Sequence, residues 1–363
     1  MTFLCSSDDY KYAHEITMNK KAIFSKIKFY PPAPSYKINN QEKNGTKVNY
    51  EILSSLPYTK NNIPDWINIS LYSLNIEKSR SNIIYIHIEN THQKKIFLKN
   101  EEKLKNPKRK VILYSHENGK DIFILLPFLI DLSIQIKCDI ITYDFIGFGC
   151  SSGKHNEKNF ISMYPKIMDI AINSLNYQIE NILLMGRDIG AMHSLILASR
   201  NKNISCKGLI LISPVICDKM IDRNIMKGII CPTLLIIPRG LDDIEDNNEN
   251  QILNFCKDIQ NLKEWYPKDK SMNDTNSLFK IDDIILKHRK KFIYYVREFM
   301  KSNDEEKNMA SGSAKSTNSE TCPDNIENCF ECNKNKYGSI KSKKDLIKEF
   351  ESGEKIDYIN DDY

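Results

Sequence analysis

Gly186-Arg187-Asp188-Ile189-Gly190 has the spacing of a G-x-nucleophile-x-G turn, in which the central side chain is displayed where a strand gives way to a helix. The chain has 13 glycines and five of them fall between 147 and 190, so a pair flanking this turn answers a steric demand. Serine at the centre would suit acyl transfer, because a histidine takes its proton as it attacks. Position 188 holds aspartate, which is already ionised in water and a weak nucleophile towards thioesters. Gly147-x-Gly149-x-x-x-Gly153 also follows an apolar run, but it does not open directly into a helix, so no dinucleotide loop and no cofactor are expected.

Residues that display a side chain in this way need a sheet behind them. Between 110 and 300 the runs Lys110–Ser115, Asp139–Asp144, Asn181–Gly186, Gly208–Ser213 and Pro232–Pro238 are apolar on both faces, as parallel strands covered by helices are. The stretches near 121–136, 157–176 and 190–201 are long enough for crossover helices. The repeated strand–helix–strand order implies an α/β fold with a central, mostly parallel sheet and helices on both faces. Val48–Ser54, Ile67–Leu74 and Ile83–Ile88 alternate apolar and polar residues and read as antiparallel N-terminal strands. Pro31, Pro32 and Pro34 close the segment before them, giving divisions of 1–40, 41–301 and 302–363. From 301 to 363 there are 10 Lys against 14 Asp or Glu, and the Ser-rich stretch Ala310–Ser319 reads as a linker into a disordered tail.

Bulk composition narrows the function classes. The 363 residues are 41% hydrophobic and 27% charged, which is globular. A net charge of +5 spread over this length argues against a nucleic-acid partner. The basic clusters Lys108–Lys110 and Lys287–Lys291 suit an anionic membrane surface or simply a solvated face. Of ten cysteines, seven are scattered singly and Cys322, Cys329 and Cys332 cluster without a histidine nearby, so free thiols in a reducing, cytoplasmic setting are expected and no metal. The longest apolar run, Ile122–Ile136, is broken by Pro127, Asp131 and Gln135 and reads as a buried helix, not a membrane span.

Several segments together carry a resemblance. Lys28-Phe29-Tyr30-Pro31-Pro32-Ala33-Pro34-Ser35-Tyr36, Ser115-His116-Glu117-Asn118, Tyr143-Asp144-Phe145-Ile146-Gly147-Phe148-Gly149 with Ser151-Ser152-Gly153, Glu157-Lys158-Asn159 and Leu197-Ala198-Ser199-Arg200 resemble the α/β-hydrolase-domain protein depalmitoylases. The similarity covers roughly 20–37 and 78–300. It implies the α/β-hydrolase fold, a serine thioesterase ancestry and a substrate or ligand such as an acyl chain or acylated protein. It also implies an acid after a late strand, matched here by Asp242, and a histidine where this chain has Met272 in Ser271-Met272-Asn273-Asp274. The oxyanion hole it implies is formed by the backbone N–H groups of Asn118 and Ile189, with Glu117 standing where the family has glycine, and Gly186 and Gly190 flank the turn. The family's acylated, cysteine-rich N-terminus is reduced here to Cys5, which would give peripheral membrane attachment only with help from Lys20, Lys21, Lys26 and Lys28. Thr2 excludes a myristoylation pattern.

Departures at 188, 272 and 117 fall together on the demanding positions. Haloalkane dehalogenases and epoxide hydrolases resemble this turn in using aspartate, but they need a histidine to hydrolyse the ester and usually carry a cap domain. Pro214–Cys231 is too short for a large cap. Glu117 would oppose a developing oxyanion unless it points to solvent. His193 and His116 read as packed or structural, and His288 as a surface residue on a basic helix over Ile281–Met300. Two readings follow: a catalytically impaired hydrolase relative that binds a ligand or partner, and an active ester or thioester hydrolase. Nothing in the sequence sets the oligomeric state.

Overall fold

A computed structural model describes residues 23–24, 28–39, 46–53, 63–76, 81–92, 109–200, 206–217, 220, 226–237, 239–240, 247–265, 268–269 and 289–310. Asp242, Met272, His288, Cys5 and the tail cysteines lie outside the described residues. The contacts divide the chain into one unit of residues 1–54 and 65–303, which carries the sheet, and a second of 55–64 and 304–363.

Among the described residues the central sheet has nine strands: β1 (Thr46–Lys47), β2 (Ile67–Ile76), β3 (Ser81–Asn90), β4 (Val111–Ser115), β5 (Asp139–Tyr143), β6 (Ile182–Arg187), β7 (Gly208–Ile212), β8 (Thr233–Ile236) and β9 (Leu262–Trp265). Their spatial order is β9-β8-β7-β6-β4-β5-β3-β2-β1. From β9 to β5 every pairing is parallel, while β3 runs antiparallel to both β5 and β2. This is the α/β-hydrolase fold, with an antiparallel N-terminal hairpin registered from Ile67↔Asn90 to Ile76↔Ser81. Every residue of β4 to β8 is buried, as strands covered on both faces must be, and this explains their continuous apolar runs.

Helix α1 (Leu126–Ile136) starts later than the apolar run suggests. The Asp121 carboxylate accepts the N–H groups of Phe123 (3.1 Å) and Ile124 (3.0 Å), holding a turn ahead of the helix. Pro127 then sits in the first helical turn, where its missing N–H costs nothing. The stretch 157–176 is not one helix. Asn156 caps α2 (Glu157–Ser162), and Pro165 opens a separate α3 (Tyr164–Asp169) that ends in a π turn over Ile170–Ser174. Helix α4 (Ile189–Arg200) is buried nearly all round, with Ala191, Met192, His193, Ser194, Leu195 and Leu197 fully covered. Beyond α5 (Asn247–Cys256), α6 spans Arg289–Ala310 and so continues past residue 302, where composition alone suggested a boundary. Among the described residues no helix is long and apolar enough to cross a membrane.

In this strand order the chain fills one side of β4 with β5 and then crosses to the other side with β6. Loops leaving β4 and β6 therefore diverge, and a crevice opens between their carboxyl ends, where open α/β sheets place ligands. His116–Asn118 follow β4 and Asp188 follows β6.

Candidate functional site

Asp188 takes φ 54°, the left-handed region, between β6 and α4. The two glycines permit this turn for a steric reason. A Cβ on Gly186 would stand 2.2 Å from the Gly190 carbonyl oxygen, and one on Gly190 would stand 2.1 Å from that of Ser115 and 2.4 Å from that of His116. Real Cβ contacts never come so close, and the obstacles are backbone. Asp188 N–H donates to the Ile212 carbonyl (3.0 Å) and its own carbonyl accepts from Val215 N–H (3.3 Å), so β7 fixes the turn from the other side.

The Asp188 carboxylate does not project freely. Its Oδ2 accepts the backbone N–H of Asn118 at 3.1 Å, and Ile189 N–H also stabilises the charge. These two N–H groups are the pair that would form an oxyanion hole. Oδ1 is sealed from solvent and has no hydrogen-bonding partner, although the residue as a whole keeps some exposure. Burial pushes the carboxyl up to about 7; the Asn118 N–H opposes this, Glu117 adds to it, and Arg187 and Ile189 N–H oppose it.

Glu117 does not point to solvent. It is 5% exposed, with Oε1 3.0 Å from Lys120 Nζ and 3.6 Å from Arg187, whose side chain is itself buried. The carboxylate that stands beside the turn is thus held between two cations instead of being hydrated. Arg187 and Lys120 escape a reading of motifs because neither occupies a chemical position. The available signal was electrostatic: an acidic residue beside an acidic turn needs neutralising, and Arg187 is next in line.

Both described histidines near the site are committed elsewhere. His193 Nε2 lies 3.1 Å from the Phe160 carbonyl, which can only accept, so this nitrogen carries the proton. Nδ1 then accepts from the Tyr143 hydroxyl (2.6 Å), which leaves Ser115 Oγ to donate to Tyr143 (2.6 Å) and Ser194 Oγ to Ser115 (3.3 Å). Burial among Tyr143, Phe145 and Phe160 pushes His193 down to about 3, so the ring stays neutral. His116 donates from Nδ1 to the Glu117 carbonyl (2.7 Å), and its pKa is also lowered by burial. Its Nε2 faces Phe145 N–H (3.5 Å) and Asp144 (3.7 Å).

The proline segment is built into the same region. The Asn118 side chain accepts from Tyr30 N–H (2.8 Å) and donates to the Lys28 carbonyl (2.8 Å), while Gly119 N–H donates to the Tyr30 carbonyl (3.0 Å). Ser35 donates to Asp121 from both its N–H (2.7 Å) and its hydroxyl (2.6 Å), and the Tyr36 hydroxyl donates to Asp144 (2.5 Å). Burial, with Asp121 beside it, holds Asp144 well above the usual carboxylate range. No group of three or more metal-ligating side chains occurs among the described residues. Phe29, Phe145, Ile146, His155, Asn156 and Phe160 line a shallow surface depression that encloses no room for an ordinary small-molecule ligand.

A family model of the alpha/beta hydrolase fold matches residues 118–228. Over 237 residues the chain is 27% identical to alpha/beta hydrolase domain-containing protein aho-3 of Caenorhabditis elegans, covering 61% of this chain and 64% of that protein. Over 107 residues it is 36% identical to alpha/beta hydrolase domain-containing protein 17C of Homo sapiens, covering 30% of this chain and 32% of the other. The chain therefore spans less than two thirds of these relatives. The fold is similar to that of an esterase from Pyrococcus furiosus, with a TM-score of 0.50 and 14% identity over 76% of this chain and 98% of the esterase. Strand order, turn and similarities all point to the α/β-hydrolase fold. The chain's sequence is similar to the α/β-hydrolase-domain proteins aho-3 and 17C.

Proposed function

We propose that this chain keeps the hydrolase scaffold but not serine-type acyl transfer, and that it works by binding a ligand or partner at the face carrying Asp188. The observation that carries this reading is the 3.1 Å bond from Asn118 N–H to Asp188 Oδ2. Acyl transfer needs that N–H free to meet the oxyanion of a tetrahedral intermediate, and one such donor is worth about 3 kcal/mol. Here the nucleophile-position side chain fills it with its own carboxylate. The described histidines support the same view, since neither His116 nor His193 hydrogen-bonds to Asp188. An acyl chain or acylated protein, the substrate class implied by the resemblance, is the ligand to try first.

Hydrolysis of a fluorogenic thioester by the full chain tests the reading, with Asp188→Asn as the control. The expected result is no turnover above buffer for either protein. Turnover in the wild type that disappears in Asp188→Asn would replace this reading with an aspartate-dependent hydrolase.

A further inference from the structure

The loop that follows β4 is folded onto the proline segment, and one residue of that loop also holds Asp188. Gly119 N–H donates to the Tyr30 carbonyl (3.0 Å). Ile122 N–H donates to Asp144 (3.0 Å), whose other carboxylate oxygen accepts from the Tyr36 hydroxyl. The N–H groups of Phe123 and Ile124 donate to Asp121, to which Ser35 donates from its own N–H and its hydroxyl. Each of these loop N–H groups thus ends on the proline segment or on a carboxylate that the segment also bonds. Asn118 joins the two sides. Its side chain accepts from Tyr30 N–H (2.8 Å) and donates to the Lys28 carbonyl (2.8 Å), and its backbone N–H donates to Asp188 Oδ2 (3.1 Å). An amide side chain pinned at both its oxygen and its nitrogen leaves its own backbone little room to turn, so the segment sets the direction of that N–H.

We infer that residues 28–36 brace the loop after β4, and that Asn118 is the positioning residue through which this segment and the Asp188 carboxylate act on each other. The brace has an inner and an outer side: Ser35 and Tyr36 are buried, while Ala33 and Pro34 are exposed. A partner that takes hold of the exposed side moves an N–H at the site without touching Asp188. By linkage the effect is reciprocal, and a ligand that draws the Asp188 carboxylate away from Asn118 alters the hold on Tyr30. Burial raises the Asp188 pKa and the Asn118 N–H does most to lower it, ahead of Arg187 and Ile189 N–H, with Glu117 acting in the raising direction. The titration of this carboxyl therefore reports where the Asn118 N–H lies. The coupling holds whether the chain binds its ligand or hydrolyses it.

The full chain is isotope-labelled at its aspartate carboxyl carbons, and the Asp188 signal, assigned by its absence from Asp188→Asn, is followed by NMR against pH. Asn118→Ala keeps the backbone N–H and removes both side-chain bonds to the segment. Its Asp188 midpoint is expected to rise from about 7 by about one pH unit, the tenfold in proton affinity at the low end for a hydrogen bond to a charged group. Tyr30→Pro removes the donor from the segment side without changing an atom of Asn118, and is expected to move the midpoint in the same direction. It also reads the coupling should Asn118→Ala fail to fold. The double variant is expected to move the midpoint no further than Asn118→Ala alone. Tyr177→Phe, which removes a bond to Asp139 at the amino end of β5, loosens the sheet away from the site and should leave the midpoint in place. A midpoint that stays put in Tyr30→Pro or in a folded Asn118→Ala, that moves as far in Tyr177→Phe, or whose shifts simply add in the double variant, overturns the brace. Neither turnover nor ligand binding is measured, so failure here leaves the binding reading standing, and failure of that reading leaves the brace standing.

Discussion

Replacing Asp188 with asparagine should make the protein more stable, and the gain should grow with pH. Folded, the Asp188 carboxyl is pushed up to about 7, against an ordinary value of 3.8. Between these values the folded chain holds a proton that the unfolded chain has released. Stability contributed by this proton is fully present below about pH 4 and is lost as pH rises to about 7. Each pH unit is about 1.4 kcal/mol, so the roughly three-unit interval amounts to about 4 kcal/mol. Residual exposure of Asp188 admits solvent screening, which brings the expected figure to about 2–4 kcal/mol. Asparagine keeps an oxygen for the Asn118 N–H and carries no charge to desolvate. Urea unfolding of both proteins at pH 4.5, 6, 7 and 8 (chosen to bracket the interval, about one unit apart) at fixed ionic strength gives the difference directly. Other buried acids, such as Asp144, titrate in both proteins and cancel in that difference. A gap that stays flat with pH, or that turns against the variant at pH 8, would refute the claim that burial dominates at this carboxyl.

Gly190→Ala should cost about 3 kcal/mol or more, because the new Cβ meets the carbonyl oxygens of Ser115 and His116, which the strand holds in place; a loss under about 1 kcal/mol in urea would show the loop after β4 to be soft. Glu117→Gln should cost about 1–3 kcal/mol near neutral pH by removing the carboxylate 3.6 Å from the buried Arg187 guanidinium, and adding Arg187→Met should recover part of that loss. Equal stability of Glu117→Gln and the double variant would mean that Lys120, not Arg187, is the partner that counts.

The fold was legible because its signals are local. Runs such as Ile182–Arg187 and Gly208–Ile212 are apolar throughout, and only a strand covered on both faces requires that. The turn at Asp188 was legible because two glycines in a glycine-poor chain stand where β-carbons would strike backbone. Helix limits were less legible: Asp121 captures two N–H groups ahead of α1, and Pro165 divides what reads as one helix near 157–176. At the site, the direction of each side chain was out of reach. Whether Glu117 faces water or Arg187 depends on a rotamer, and whether Asp188 occupies the Asn118 N–H depends on two loops 70 residues apart. The proline segment was conspicuous as a pattern, but its bonds from Ser35 to Asp121 and Tyr36 to Asp144 cross 86 and 108 residues. Nothing local in the sequence encodes them.

Restoring serine alone should not restore acyl transfer. Asp188→Ser would free the Asn118 N–H and place a hydroxyl on the strand–helix turn, so the oxyanion donor and the nucleophile would both be in position. A serine hydroxyl still has to lose its proton as it attacks. His193 cannot accept it, because Nε2 already carries a proton directed at Phe160, Nδ1 is filled by Tyr143, and burial keeps the ring's pKa at about 3. His116 is likewise held by the Glu117 carbonyl and lies with Asp144, itself held well above the usual carboxylate range. The resemblance implies a histidine at position 272, where this chain has methionine. Asp188→Ser should therefore remain silent towards a fluorogenic thioester, while Asp188→Ser with Met272→His should gain turnover of about 10²-fold over the single variant, the lower range for a positioned general base. Turnover by the single variant would mean that a base other than His116 or His193 already serves the turn, and the impaired-hydrolase reading would fail at its chemical step.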